Sequence, residues 1–178
     1  AYAVGRLLGI DGARLRQAAT AFDGTDRRFQ RVGEVNGVTV IDDYAHHPTE
    51  VVATLTAARV LAGAGRLVAC FQPHLFTRTR DFAGQFARAL SLADVIVVLG
   101  IYAAREDPIP GVTGHLVIDA LEGISQLETI HYVEEMSEAP GLLAGLVTPG
   151  DLVVTLGAGD VTRVGPALVG LLAAEDHR

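Results

Sequence analysis

The sequence has 178 residues, 49% of them hydrophobic and 20% charged, which is enough chain to bury one sizeable core. A formal charge of -7 argues against a nucleic-acid surface, and the single Cys70 excludes a disulfide framework and fits a cytoplasmic setting. All fourteen basic residues are Arg, so neither a P-loop lysine nor a Schiff-base lysine exists within this chain.

Between Ala1 and Phe22 the apolar residues recur at helical spacing, interrupted at Gly9 and Asp11-Gly12, which predicts two helices around a turn, the first without a capping residue. β-Rich runs over 29–35 and 38–41 flank Asn36-Gly37, the pair suited to a tight hairpin turn. Helices then alternate with short, wholly apolar strands: helix 48–61, strand 67–71, helix 78–92, strand 95–99, helix 116–121, strand 129–133, helix 137–147, strand 152–156 and helix 161–174. Strands apolar on both faces need helices on both sides. The predicted fold is α/β, a doubly wound, mostly parallel sheet with an amino-terminal β-hairpin, and its ligands belong at the carboxyl ends of the strands. No apolar run approaches the ~20 residues of a membrane span, and the start shows no signal-peptide pattern.

Three clusters follow strands. In Asp42-Asp43-Tyr44-Ala45-His46-His47-Pro48-Thr49-Glu50 a carboxylate can accept from ribose hydroxyls and an imidazole can bind an anion; the same Asp residues can cap a turn and the same His residues can be solvated. Metal binding by His46 and His47 is disfavoured, because adjacent loop side chains diverge and no third ligand is evident. In Phe71-Gln72-Pro73-His74-Leu75-Phe76-Thr77-Arg78-Thr79-Arg80-Asp81, Thr77 is a candidate helix cap. Arg78 and Arg80 then oppose the dipole of the first turn, which predicts a bound anion or an ion pair with Asp81 or another acid. Gly157-Ala158-Gly159-Asp160-Val161-Thr162 has Thr162 where a dinucleotide fingerprint has its third glycine, so Gly157 and Gly159 serve either a close approach or a tight turn. The stretch Tyr102 to Gly111 reads as a loop stiffened by two prolines, and Cys70 as a core residue.

Taken together, these stretches, with Tyr102-Ala103-Ala104, Glu106 and Pro108-Ile109, resemble the carboxy-terminal domain of the Mur ligase family over residues 23–175, and the paired His46-His47 resembles the members that join L-alanine to UDP-N-acetylmuramate. The resemblance implies a Rossmann-like Mur domain over 23–178, preceded at 1–22 by the last helices of a central ATPase domain. The rest of that domain and an amino-terminal UDP-sugar domain lie outside this chain. It implies ATP, which phosphorylates the UDP-N-acetylmuramate carboxylate before the amine of L-alanine attacks, and Mg2+ held mainly in the central domain.

Residue by residue, the resemblance places Arg28 at the ATP phosphates, Asp43 near the ribose and Tyr44 beside the nucleotide. It places His46 and Arg78 on the L-alanine carboxylate. His47, Arg80, Arg105, Gly157 and Gly159 are further candidates, and no catalytic residue is expected in this chain, which alone is expected to be inactive. Two departures matter: Leu75 stands where family members often carry Arg, and Arg105 where they carry Gly, so Arg80 or Arg105 is a candidate to complete the clamp. A sister ligase with another acceptor, and a non-enzymatic receiver-like or anion-binding module, are the competing readings.

Overall fold

The computed structural model describes residues 2–21, 25–124 and 129–175. Its elements run α1 (Tyr2–Leu7), α2 (Gly12–Thr20), β1 (Gln30–Val35), β2 (Val38–Asp43), α3 (Pro48–Ala62), β3 (Leu67–Phe71), α4 (Phe76–Leu90), β4 (Val95–Leu99), α5 (His115–Glu122), β5 (Thr129–Val133), α6 (Ala139–Leu146), β6 (Leu152–Leu156) and α7 (Val164–Glu175). Short 3-10 turns at Met136–Glu138 and Asp160–Arg163 lead into α6 and α7.

The six strands form one sheet in the order β1-β2-β6-β3-β4-β5, antiparallel between β1 and β2 and parallel elsewhere. Asn36 and Gly37 close the hairpin at φ 51 and φ 75, the two left-handed positions the Asn-Gly pair predicts. Within each apolar strand the side chains alternate between two cores. Ile41, Phe71, Ile96, Val98, Val154 and Leu156 face α3, α4 and α5, whereas Val40, Cys70, Val97 and Val153 face α6 and α7. The doubly wound expectation is met. Cys70 lies wholly buried in the second core, and burial pushes its thiol up to about 12, the mark of a packing residue.

Three local expectations are corrected. Asp11-Gly12 opens α2 where a turn was expected: the Asp11 carboxylate accepts from Ala13 N at 2.8 Å and Arg14 N at 3.1 Å, an ordinary N-cap. α4 starts at Phe76, two residues earlier than the charge pattern suggests, and Thr77 lies inside its first turn while Leu75 occupies the N-cap without a side-chain bond. The helix expected over 161–174 begins as the 3-10 turn before α7. The start of the first helix and the expected domain boundary at 22/23 involve residues outside those described.

α1 and α2 pack on each other through a glycine contact: a Cβ on Gly5 would come within 2.5 Å of Leu15 Cδ2. Their remaining apolar surface is open, with Leu7 87% and Leu8 74% exposed.

Candidate functional site

The site is a row of loops at the carboxyl ends of β2, β6, β3 and β4, four strands that the topology sets side by side. β2 ends in two acids with different work. Asp43 holds the turn, accepting from Phe29 N at 2.7 Å and Ala45 N at 2.8 Å, one amide on each oxygen. Asp42 is 2% exposed and faces the sheet interior, where it accepts from the Thr155 hydroxyl at 2.6 Å, the Thr162 hydroxyl at 2.9 Å and Arg27 Nε at 3.2 Å. The sequence offered no sign that Asp42 and Asp43 divide in this way.

Tyr44 donates its backbone amide to the Arg27 carbonyl at 2.7 Å, and its ring lies against two guanidinium groups, 4.9 Å from Arg27 Cζ and 5.4 Å from Arg28 Cζ. Arg28 is exposed, and among the described residues its guanidinium makes no hydrogen bond. Arg28, Asp43 and Tyr44 are therefore brought together at one corner of the rim.

His46 and His47 diverge. His46 Nδ1 is 2.9 Å from the Tyr44 carbonyl, which can only accept, so that nitrogen donates. The same Nδ1 is 3.3 Å from Glu50 Oε2. His47 instead caps α3, accepting from Thr49 N at 3.4 Å, while Glu50 reaches back to His47 N at 3.2 Å and His46 N at 3.0 Å, a capping box before Pro48. Partial burial raises the Glu50 pKa, but the His46 and His47 amides and the nearby His46 and Arg28 outweigh it and hold the group below its usual value.

Beyond β3, Gln72 is 4% exposed and ties two strand ends together: Nε2 donates to Asp160 at 2.7 Å, and Oε1 accepts from Val161 N at 3.1 Å. Gln72 and Asp160 stand in two separate sequence clusters, and their pairing escaped notice because they meet only across 88 positions. His74 forms a parallel bridge with Tyr102. Four rings make a continuous array, with centroids 5.1 Å apart for Tyr44 and His46, 5.7 Å for His46 and His74, and 5.7 Å for His74 and Tyr102.

Arg78 enters this array from the first turn of α4. Its Nη1 donates to the His46 carbonyl at 3.3 Å and lies 3.4 Å from His74 Nδ1. His46 and Arg78, paired by resemblance, are neighbours. Burial first, then the cations Arg78 and His46, push the His74 pKa down, against a smaller upward pull from Glu106. Leu75 stands at φ 72, a conformation L residues rarely adopt, with its amide donating to Tyr102 O at 3.0 Å and its carbonyl accepting from Thr79 N and Oγ1 at 3.1 and 2.8 Å.

Arg80 pairs with Asp81 at 2.8 Å on the surface, the ion pair that was one of the two expectations for this turn, and Arg105 is exposed in the β4–α5 loop. Around Gly157 and Gly159 the close approaches are made by the chain itself. A Cβ on Gly157 would lie 2.9 Å from the Gln72 carbonyl, and one on Gly159 would overlap Gln72 Oε1 and the Tyr102 ring. Among the described residues, no group of three or more His, Cys, Asp or Glu could hold a metal ion. No described helix is long and apolar enough to cross a membrane.

The family model described as "Mur ligase, glutamate ligase domain" matches residues 27–159. The chain is 62% identical over 173 residues to a UDP-N-acetylmuramate--L-alanine ligase of Cutibacterium acnes, covering 97% of this chain and 36% of that protein. It is 54% identical over 162 residues to the enzyme of the same name from Saccharopolyspora erythraea, covering 91% of this chain and 33% of the relative. Among solved structures, UDP-N-acetylmuramate-alanine ligase MurC from Thermotoga maritima superposes with a TM-score of 0.81 at 28% identity, covering 98% of this chain and 36% of that one. The chain thus spans about a third of the length of the curated relatives it matches. These matches stand against the receiver-like or anion-binding module. With the fold, the loop row and the matched stretch in agreement, the chain belongs to the Mur ligase family and carries that family's carboxy-terminal domain.

Proposed function

We propose that this chain is the carboxy-terminal part of an ATP-dependent ligase that joins L-alanine to UDP-N-acetylmuramate in peptidoglycan synthesis, acting in the cytoplasm. The observation that carries the reading is the juxtaposition of two cationic corners on one rim: Arg28 over Tyr44, and Arg78 between His46 and His74. The names of the relatives support the acceptor and the sugar. In this reading residues 1–22 end the central ATPase domain and residues 23–178 form the Mur domain.

At the first corner the Arg28 guanidinium, which makes no hydrogen bond among the described residues, reaches the ATP phosphates. The Tyr44 ring lies beside the nucleotide, and Asp43 turns the backbone that carries both while keeping lone pairs for a ribose hydroxyl. ATP supplies the phosphoryl group that activates the UDP-N-acetylmuramate carboxylate. Among the described residues no group of three or more His, Cys, Asp or Glu could hold a metal ion, and in this reading the magnesium ligands lie mainly in the central domain.

At the second corner Arg78 and His46 hold the L-alanine carboxylate so that its amine faces the activated carboxyl group, a contribution of positioning rather than proton transfer. The Arg78 guanidinium, which stays charged, supplies the positive end of that clamp. Arg105, exposed and close in sequence to Glu106, is the candidate to replace the arginine that Leu75 lacks. Arg80, paired with Asp81, must first leave that partner.

The test is ADP release by the full-length parent protein with ATP, Mg2+ and UDP-N-acetylmuramate, offered L-alanine, D-glutamate, diaminopimelate or an L-Ala-containing peptide. Release dependent on L-alanine is expected. Dependence on another acceptor would move the chain to a sister ligase, and release by this chain alone would overturn the division of labour between domains.

A further inference from the structure

Arg28 sits between two residues in left-handed backbone conformations, Arg27 at φ 56 and Phe29 at φ 49, neither of them glycine. Such positions persist only where the surroundings hold them. Phe29 is held by its amide on Asp43, and its restraint was evident from the turn. Arg27 is held by its amide on Gln30 Oε1 at 2.8 Å and by contacts further inside.

The Arg27 side chain runs away from Arg28 and down into the rim, where Nε donates to the buried Asp42 at 3.2 Å and Nη2 to the Gly157 carbonyl at 2.6 Å. Asp42 is itself fixed by hydroxyls from β6 and from the turn after it, Thr155 and Thr162. One guanidinium therefore ties the approach to the hairpin, the end of β2 and the end of β6, positions separated by 130 residues in the chain. From the other side, the Arg27 carbonyl accepts from Tyr44 N at 2.7 Å. Two of the three groups of the nucleotide corner thus hang on Arg27: Arg28 as its chain neighbour, Tyr44 through that bond.

A buried carboxylate surrounded by three side-chain donors is a demanding way to close a sheet end, where an apolar contact would serve as well. What it gives, and an apolar contact does not, is a fixed direction for the residue next to it. We infer that Arg27 and Asp42 are a positioning pair for the nucleotide corner, in which adjacent arginines divide the work: Arg27 points inward and sets the backbone, leaving Arg28 outward and free for phosphate. The inference rests on the reading of Arg28 and Tyr44 as nucleotide contacts. It assigns no contact with ATP to Arg27 or Asp42.

The experiment uses the full-length parent enzyme and compares R27A, R27K and R28A with wild type for the KM of ATP, the KM of L-alanine and thermal stability. Misplacing a binding group by a fraction of its length is costly, so R27A should raise the KM for ATP by about tenfold or more while the KM for L-alanine stays within about twofold. R27K should also raise it, because an ammonium is a single point charge that cannot span the Asp42 carboxylate and the Gly157 carbonyl as the guanidinium fork does. Should R27A fail to fold, R27K is judged by the same criterion. An unchanged ATP KM in the folded Arg27 variant, with a raised one in R28A, would overturn the pair and leave the nucleotide corner standing. Equal losses toward ATP and L-alanine would reduce the pair to a stabilising contact and also overturn it. No effect from either R28A or the Arg27 variants would remove the nucleotide corner itself.

Discussion

The Glu106 carboxylate, carried on the loop after β4, accepts hydrogen bonds from both the backbone amide and the hydroxyl of Thr77 in the first turn of α4. These bonds hold the acid below its usual value. The Thr77 amide, one of the donors left open at a helix amino-terminus, thus meets an acid from the chain itself. The loop and the helix become one unit, and the direction of Arg78 depends on both.

Replacing Glu106 with Ala should therefore raise the KM for L-alanine in the parent enzyme and lower its melting temperature, with the KM for ATP little changed. Glu106→Gln, which keeps an acceptor but not the charge, should fall between. An unaltered L-alanine KM in Glu106→Ala would separate the loop from the clamp.

His74 makes the fold sensitive to mild acid. Its folded pKa lies below the ordinary 6.5, so the unfolded chain takes up the proton first. Stability is full above about 6.5 and falls as the pH drops from there toward the lowered value. The acids Glu50, Glu106 and Asp151, all held below their usual values, lose their contributions only at lower pH, as it falls through those values. His74→Phe, which keeps a ring between His46 and Tyr102, should flatten the stability profile between pH 6.5 and the carboxylate range. Urea unfolding of both proteins across that interval checks this.

Gly159 has an ordinary φ of -91, so space and not backbone freedom requires glycine there. Gly159→Ala should force Tyr102 and Gln72 apart and cost about 1–3 kcal/mol, as overpacking does. Tyr102→Ala in the same chain should relieve part of that cost, and a double-mutant cycle measures the coupling; strict additivity would show that the two do not meet.

Leu7 and Leu8 are the most exposed large apolar side chains of the helical pair. If residues 1–22 belong to the central domain, Leu7→Asn with Leu8→Asn should leave unfolding of this chain almost unchanged and destabilise the parent protein by about 1.5–3 kcal/mol per buried side chain. Equal melting temperatures for the wild-type and variant parent would argue that these helices face water there too.

The strands and the hairpin were legible because their signals are local: apolar on both faces, bounded by turn residues, with Asn-Gly at the one two-residue loop. The loops at the strand ends were legible as clusters for the same reason. What was hidden depends on partners far along the chain. Nothing in Leu75-Phe76 announces a helix start, since the left-handed Leu75 is held by Tyr102 and Thr79 and the capping acid comes from Glu106. The contrast between Asp42 and Asp43 is equally invisible, because it depends on Thr155 and Thr162 lying under the first acid and not the second. Gln72 reads as a polar residue after a strand until β6 is placed beside β3.

β6 is the final strand in sequence and lies third in the sheet, between β2 and β3. Those two earlier strands have no native edge to share with each other, so synthesis leaves each waiting with an open hydrogen-bonding edge until β6, far along the chain, has emerged. The chain cannot add strands in order of synthesis, and long-range closure of this kind slows folding. Because Gln72, Asp42 and Arg27 all find partners on β6 or just after it, the rim takes shape only when that last strand arrives. A chain cut short before Leu152 would have three of the four site loops and no organised site.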